Sequence, residues 1–268
     1  MRVTAFPVYS DISVLVSKLL LIENKSAVFS FKTIPRNYPA LFFMAPEEGR
    51  WEVKIGGIPY LLAGGNVYFA GIGFQPSHMY FSGCIKLWVI MLQPYAARMV
   101  SGEAADTFVN QVVRITDTHI LLRNLNDQLW DKHIDLKNAS LLIEKHIRNY
   151  LQKANISCYV LSALNEINKH AGKLNMLQLA DKTYTCNRNL LRRFSVEIGL
   201  NPKKYTTMIR FSHVMKDRFE NPEIDLETLA IKHHYYDTSH LNREAFLFMG
   251  EKLSKYTHPN KGLNDNLL

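Results

Sequence analysis

Cysteine is scarce in this 268-residue chain, and its three residues, Cys84, Cys158 and Cys186, are an odd number set far apart. That excludes a redox pair, a zinc ribbon or a disulfide scaffold as the organising feature, and a reducing cytoplasm is the expected setting. Long apolar runs are missing too: Leu87 to Leu92, one of the strongest, falls far short of the roughly 20 residues a membrane helix needs. The opening Met1-Arg2-Val3-Thr4 leads into Pro7 and Asp11 rather than an apolar signal-peptide core, so a soluble, unexported protein with no membrane partner is expected. Histidine is nearly absent from the first 105 residues, where His78 stands alone, and one imidazole cannot build a multi-histidine metal site. No phosphate loop, serine elbow or zinc-protease pair occurs, and Gly71-Ile72-Gly73 is no dinucleotide fingerprint. No metal, no cofactor and no enzyme activity are therefore expected.

What is present is a hydrophobic fraction of 47%, enough for one large domain or two to three ordinary ones, and a net charge of +8. The charge is unevenly placed. Between 182 and 216 eight basic residues, Lys182, Arg188, Arg192, Arg193, Lys203, Lys204, Arg210 and Lys216, face only Glu197; from 217 to 259 acids outnumber bases. One short stretch therefore carries the electrostatic footprint suited to a phosphate backbone.

The hydrophobic period changes along the chain. Residues 1–105 hold short apolar or aromatic segments such as Leu41 to Ala45, Val67 to Phe74 and Ile85 to Leu92, punctuated by prolines 35, 39, 46, 59, 76 and 94 and by Gly56-Gly57 and Gly64-Gly65. This spacing predicts a β-rich barrel or sandwich. From 106 onward the pattern becomes helical. Residues 106–170 read as a helical connector, with Leu121, Leu125, Leu129, Leu141, Ile143 and Ile147 available for packing, within one chain by default or across a homodimer.

The last hundred residues repeat themselves. Leu179-Ala180 and Leu229-Ala230 lie 50 apart, and Leu190/Leu241, Arg192/Arg243, Gly199/Gly250 and Tyr205/Tyr256 lie 51 apart. In the first copy Asn175 and Gln178 predict a capping box opening a short helix. The polar stretch Tyr184 to Asn187 interrupts it, and a second helix buries Leu190, Phe194 and Ile198 before Gly199 closes it. Arg188 and Arg192 are four apart on the opposite side, beside Leu191, where a guanidinium fork can meet guanine or a phosphate. Asn201-Pro202 then starts a long helix that separates the two copies like a strut, and Asp237 caps the second copy's second helix.

These elements, Leu179-Ala180, Arg188 to Phe194 (RNLLRRF), Gly199 to Tyr205 (GLNPKKY), Ile209 to Phe211 (IRF), Leu229-Ala230, Tyr235 to Glu244 (YYDTSHLNRE) and Gly250, resemble the double helix-turn-helix domain of AraC-type transcription regulators. Ile34 to Ala45 and Ile90 to Gly102 are similar, more faintly, to the β-rich N-terminal domain of one branch of that family. The resemblance implies an α+β, two-domain chain: a cupin-like β-rich barrel or sandwich over 1–105 serving as sensor or association domain, the helical connector 106–170, a DNA-binding domain over 171–258, and a flexible tail over 259–268. It implies a regulator bound to double-stranded promoter DNA, responsive to a small-molecule effector in the β domain.

Base and phosphate contacts are expected from Arg188, Asn189, Leu191, Arg192, Arg193, Lys203, Lys204 and Arg210 in the first copy. The second copy offers Thr238, Ser239, His240, Asn242 and Arg243. Several positions depart from the family pattern. Tyr184 and His234 stand where glycine is usual, so each turn either avoids a left-handed conformation or accepts strain. Ala245 stands where phenylalanine is usual, with Phe246 and Phe248 placed to refill the core, and His233-His234 reads as surface. Two other classes remain open: a small-molecule enzyme on the β domain, with the helical part as an oligomerisation appendage, and a protein-binding scaffold that kept this fold without DNA affinity.

Overall fold

The computed structural model describes residues 1–9, 11–25, 28–46, 49–151 and 156–256. The expected tail 259–268 lies outside them. Among the described residues the N-terminal part contains strands β1 (Arg2–Phe6), β2 (Val16–Asn24), β3 (Phe29–Thr33), β4 (Ala40–Met44), β5 (Arg50–Ile55), β6 (Ile58–Leu62), β7 (Val67–Ala70), β8 (Ser77–Ser82), β9 (Ile85–Leu92) and β10 (Val112–Arg114). They form two open antiparallel sheets, one ordered β1-β2-β9-β4-β7-β10 and the other β3-β8-β5-β6.

The centre of the six-stranded sheet is buried on both faces, which explains why β4 and β9 read as nearly unbroken apolar runs. Because side chains alternate, Phe42, Leu87, Val89 and Met91 pack inward on Trp51, Val53 and Phe81 of the second sheet. Leu41, Phe43, Trp88 and Ile90 point the other way, into a layer of helices. Each such side chain contributes about 1.5–3 kcal/mol of burial.

That outer layer is built by α1 (Ala96–Ser101), α2 (Ile120–Leu129) and α3 (Leu136–Leu151). Val100, Leu122, Leu125, Leu129, Ile143 and Ile147 close the second core. The expected phase was partly off: Leu121 and Leu141 are exposed, and Leu122 takes the inward place. Two further expectations are corrected here. The chain after Asp106 is not all helix, since β10 pairs with β7, so the β unit extends past residue 105. Nor is 106–170 one connector, since α4 (Cys158–Lys169) buries Val160, Ala163, Leu164 and Ile167 in the C-terminal core.

The C-terminal part continues with α5 (Met176–Thr183), α6 (Asn187–Ile198), α7 (Pro202–Glu220), α8 (Leu226–Lys232) and α9 (Thr238–Met249). The pairs α5/α6 and α8/α9 are the two helix-turn-helix units. Between them α7, 19 residues long, spans about 28 Å. Leu190, Phe194, Met208, Phe211, Leu229, Leu241 and Phe248 share one core. Phe248 does refill the place beside Ala245, whereas Phe246 is exposed. No described helix is long and apolar enough to cross a membrane.

Candidate nucleic-acid interface

Local side-chain caps start α5, α7 and α9. Asn175 accepts from the Gln178 backbone N–H while the Gln178 side chain accepts from that of Asn175, both at 2.9 Å, so α5 starts with a complete capping box. The Asn201 side chain accepts from the Lys204 N–H at 2.8 Å, and Asp237 accepts from that of His240 at 2.6 Å. Cys186 precedes α6 without capping it. The turns accept left-handed residues: Tyr184 has φ 49° and His234 φ 57°. Gly199 and Gly250 end α6 and α9 in the same region.

On α6 the side chains of Arg188, Leu191 and Arg192 are exposed together, along the half that begins the helix. Arg188 and Arg192 make no ion pair shorter than 4 Å among the described residues. Arg192 donates to Asn189 Oδ1 at 3.4 Å, and Asn189 donates to Thr185 Oγ1 at 3.3 Å, so Asn189 orients the arginine and anchors it to the turn. The second half of α6 is held by the N-terminal part. It packs on α1 and on the 3-10 turn Ala105–Phe108, Ser195 donates to Asp106 at 3.1 Å, and Gly199 lies against Val109.

Several expected contacts point elsewhere. Arg193 turns into a crevice beside Glu197, with Nη1 3.9 Å from Oε1. Lys204 places Nζ 3.6 Å above the Phe74 ring of the N-terminal part, while Lys203 stays exposed. Arg210 is no surface cation: it donates to Glu244 at 2.5 Å and stacks on Tyr235 at 4.4 Å, with its side chain 17% exposed. Tyr235 donates to the other Glu244 oxygen at 2.6 Å, and its pKa is pushed up by burial and then by that carboxylate. His240 is half-buried against Tyr235 and Glu244. Asn242 braces the fold, donating to the Thr238 carbonyl at 3.0 Å and accepting from the Leu253 N–H at 3.2 Å.

In the second unit, then, the open face is Ser239 and Arg243, with Thr238 half-exposed. Phe246 and Lys252 complete a shallow groove of about 370 Å3 with Ser239, Asn242 and Arg243. Neither was expected at the interface, Phe246 having been placed in the core, although 239, 243 and 246 share one helical face. Tyr184 and Tyr236 also project almost fully from the two turns. His233 corrects another expectation: it is buried and bonds Asp217 at 2.6 Å.

The sandwich holds a narrow cavity of about 60 Å3 lined by Tyr38, Phe42, Val53, Met79, Met91 and the half-buried Arg36. Arg36 donates to the Gly71 carbonyl at 2.5 Å, its Nε is enclosed without a partner, and no carboxylate pairs with it among the described residues. Burial lowers its pKa, and burial pushes that of Tyr38 up to about 12.

An antiparallel sandwich with a helical layer, joined to two helix-turn-helix units on a shared strut, defines the two-part fold. No family model and no curated protein matches the chain. Among solved structures it is similar to unsaturated fatty acid-bound ToxT from Vibrio cholerae strain SCE256, at 10% identity over 91% of this chain and 96% of that one, TM-score 0.50. ToxT from Vibrio cholerae O395 is 13% identical over 91% and 98%, TM-score 0.48. The AraC-like transcriptional activator CuxR is 11% identical over 85% and 70%, TM-score 0.33. At this identity the likeness to the fatty acid-bound ToxT structure shows a shared fold.

Proposed function

We propose that this chain is a sequence-specific, double-stranded DNA-binding transcription regulator acting in the cytoplasm. The observation that carries the reading is the exposed face of Arg188, Leu191 and Arg192 at the start of α6, basic and free of acidic partners among the described residues. That half of a recognition helix is the part that reaches base edges, and a guanidinium fork reads the O6 and N7 of guanine. Ser239, Arg243 and Phe246 supply a second, less basic surface, so α6 provides most of the affinity. Lys203 and Lys252 are suited to backbone phosphates. Binding to duplex DNA should fall with salt at a log-log slope of about −0.9 per phosphate neutralised. Arg192→Ala should lose about 1–3 kcal/mol of specific binding, and unchanged affinity and site preference in that variant would remove the assignment.

The effector in this reading is an apolar molecule with a carboxylate head. Arg36 brings a guanidinium with no carboxylate partner among the described residues to the lining of an apolar slot, and one of the similar structures, ToxT, holds an unsaturated fatty acid. The slot must widen to accept such a chain, and Met79 and Met91 are adaptable walls. DNA affinity measured with and without an unsaturated fatty acid, in the wild type and in Arg36→Gln, tests this. A response equal in both proteins would rule out Arg36 as the head-group site.

A further inference from the structure

A second concavity lies at the joint between the two parts of the chain, away from both the exposed α6 face and the sandwich slot. It encloses about 410 Å3 and is lined by Arg98 and Met99 of α1, by Ile156 and Ser157 at the start of α4, and by Arg193 and Glu197 of α6. Small-molecule sites occupy about 300–1,000 Å3, so the crevice has the capacity of one.

Its polar groups are unequally committed. Glu197 is the acid in the lining, and both its oxygens are engaged: Oε1 accepts from Ser157 Oγ at 2.6 Å and Oε2 from the Ser157 N–H at 2.9 Å, which ties the start of α4 to α6. At 3.9 Å from Oε1, Arg193 is beyond hydrogen-bond distance of it, and its Nε is enclosed with no partner. Arg98 is exposed at the rim and has no carboxylate within 4 Å among the described residues. The Tyr95 hydroxyl, also at this surface, donates to the Val14 carbonyl at 2.5 Å. What remains is two guanidinium groups, one from each part of the chain, lining the same crevice as Met99 and Ile156.

We propose that this crevice binds a phosphate-bearing small molecule, its phosphate clasped between Arg98 and Arg193. Planar guanidinium forks match phosphate oxygens bidentately, and the demand for a compact, multiply charged oxyanion follows from two forks facing one acid whose oxygens are both engaged by Ser157. The Glu197 carboxylate, held by Ser157, offsets part of the charge and leaves the site weakly cationic. The bound phosphate ties α1 directly to the recognition helix, so occupancy stiffens the joint that positions Arg188 and Arg192. The proposal stands whether or not α6 binds DNA.

The test is thermal unfolding of the full chain titrated with inorganic phosphate at constant ionic strength, chloride serving as the balancing salt. A ligand that binds only the folded state raises the midpoint with concentration in proportion to the logarithm of its occupancy. The expected result is a saturable rise for phosphate, weakened on the order of tenfold in apparent affinity by Arg98→Ala or Arg193→Gln. The rise should be retained in Arg188→Ala/Arg192→Ala. No rise in the wild type, a rise unchanged in Arg98→Ala, or a rise abolished by Arg188→Ala/Arg192→Ala would each overturn the proposal. Arg98 is exposed at the rim, so its replacement keeps the test decisive even if Arg193→Gln folds poorly.

Discussion

Replacing Arg210 separates two readings of one residue. From sequence it was a phosphate contact on the strut; in the fold it is one arm of a cluster in which Glu244 accepts from Arg210 and Tyr235 while His240 lies 3.5 Å away. The side chains of Arg210 and Glu244 are only 17% and 11% exposed, so Arg210→Met keeps much of the aliphatic packing but strands a carboxylate. Breaking such an enclosed pair costs about 3–5 kcal/mol. Tyr235 still donates to Glu244 in the variant, which places the loss near the lower end, about 3 kcal/mol. At roughly 2–4 °C per kcal/mol for a unit of this size, the midpoint should drop by about 6–12 °C. Adding Glu244→Gln should restore part of the loss, because the stranded charge is gone. The assay is thermal and urea unfolding of the full chain beside a salt titration of DNA binding. A stability change within about 0.5 kcal/mol, together with a salt slope reduced by about 0.9, would refute the reasoning and return Arg210 to the duplex.

Other consequences follow from the same contacts. Tyr184→Gly and His234→Gly should each stabilise the chain by about 1 kcal/mol in urea unfolding, because both residues are exposed and left-handed; a loss in either would mean the side chain makes a contact that matters. Gly199→Ala should cost about 1–3 kcal/mol, since φ is +96° and a Cβ would sit 2.8 Å from Val109 Cγ2 and 2.9 Å from the Ala105 carbonyl oxygen; an unchanged midpoint would show that α6 is not seated there. Burial, partly offset by Asp217, holds the His233 pKa below 6.5, so the unfolded chain takes up its proton first and stability should fall as pH drops below about 6.5. His233→Gln should flatten that part of the profile, and a profile identical to wild type would contradict the assignment.

Features carried by neighbouring residues were legible before any coordinates. Asn175 with Gln178, Asn201 with Pro202, and Asp237 each mark a helix start through a bond to a residue three or fewer positions away, and all three form. Leu190, Phe194 and Ile198 repeat with helical spacing, so their burial could be read directly. The strand β10 escaped notice because three residues carry no period, and its partner β7 lies about 40 positions earlier. Leu121 was chosen over Leu122 because one residue of phase turns a helix by about 100° and adjacent leucines leave the choice open.

The site was harder to read than the fold. Arg188, Leu191 and Arg192 stand on an exposed face because nothing else among the described residues covers it. Arg193, Lys204 and Arg210 have the same side-chain chemistry but meet Glu197, Phe74 and Glu244, and two of those partners are over 30 residues away. A basic window in sequence counts charges without knowing which of them turn towards the rest of the fold. Phe246 was missed for the opposite reason: it was assigned to the core in place of Ala245, a role that Phe248 fills.

The measurement that bears most directly on the central assignment is enrichment of duplexes from a random library by the full chain, run in parallel with Arg188→Ala/Arg192→Ala. The wild type should select a defined site, and the variant, folded to the same midpoint, should lose the base preferences at one end of that site while its non-specific affinity falls less. Selection of nothing by the wild type at low salt, or selection of the same site with the same strength by the variant, would contradict the assignment of α6 as the reading helix.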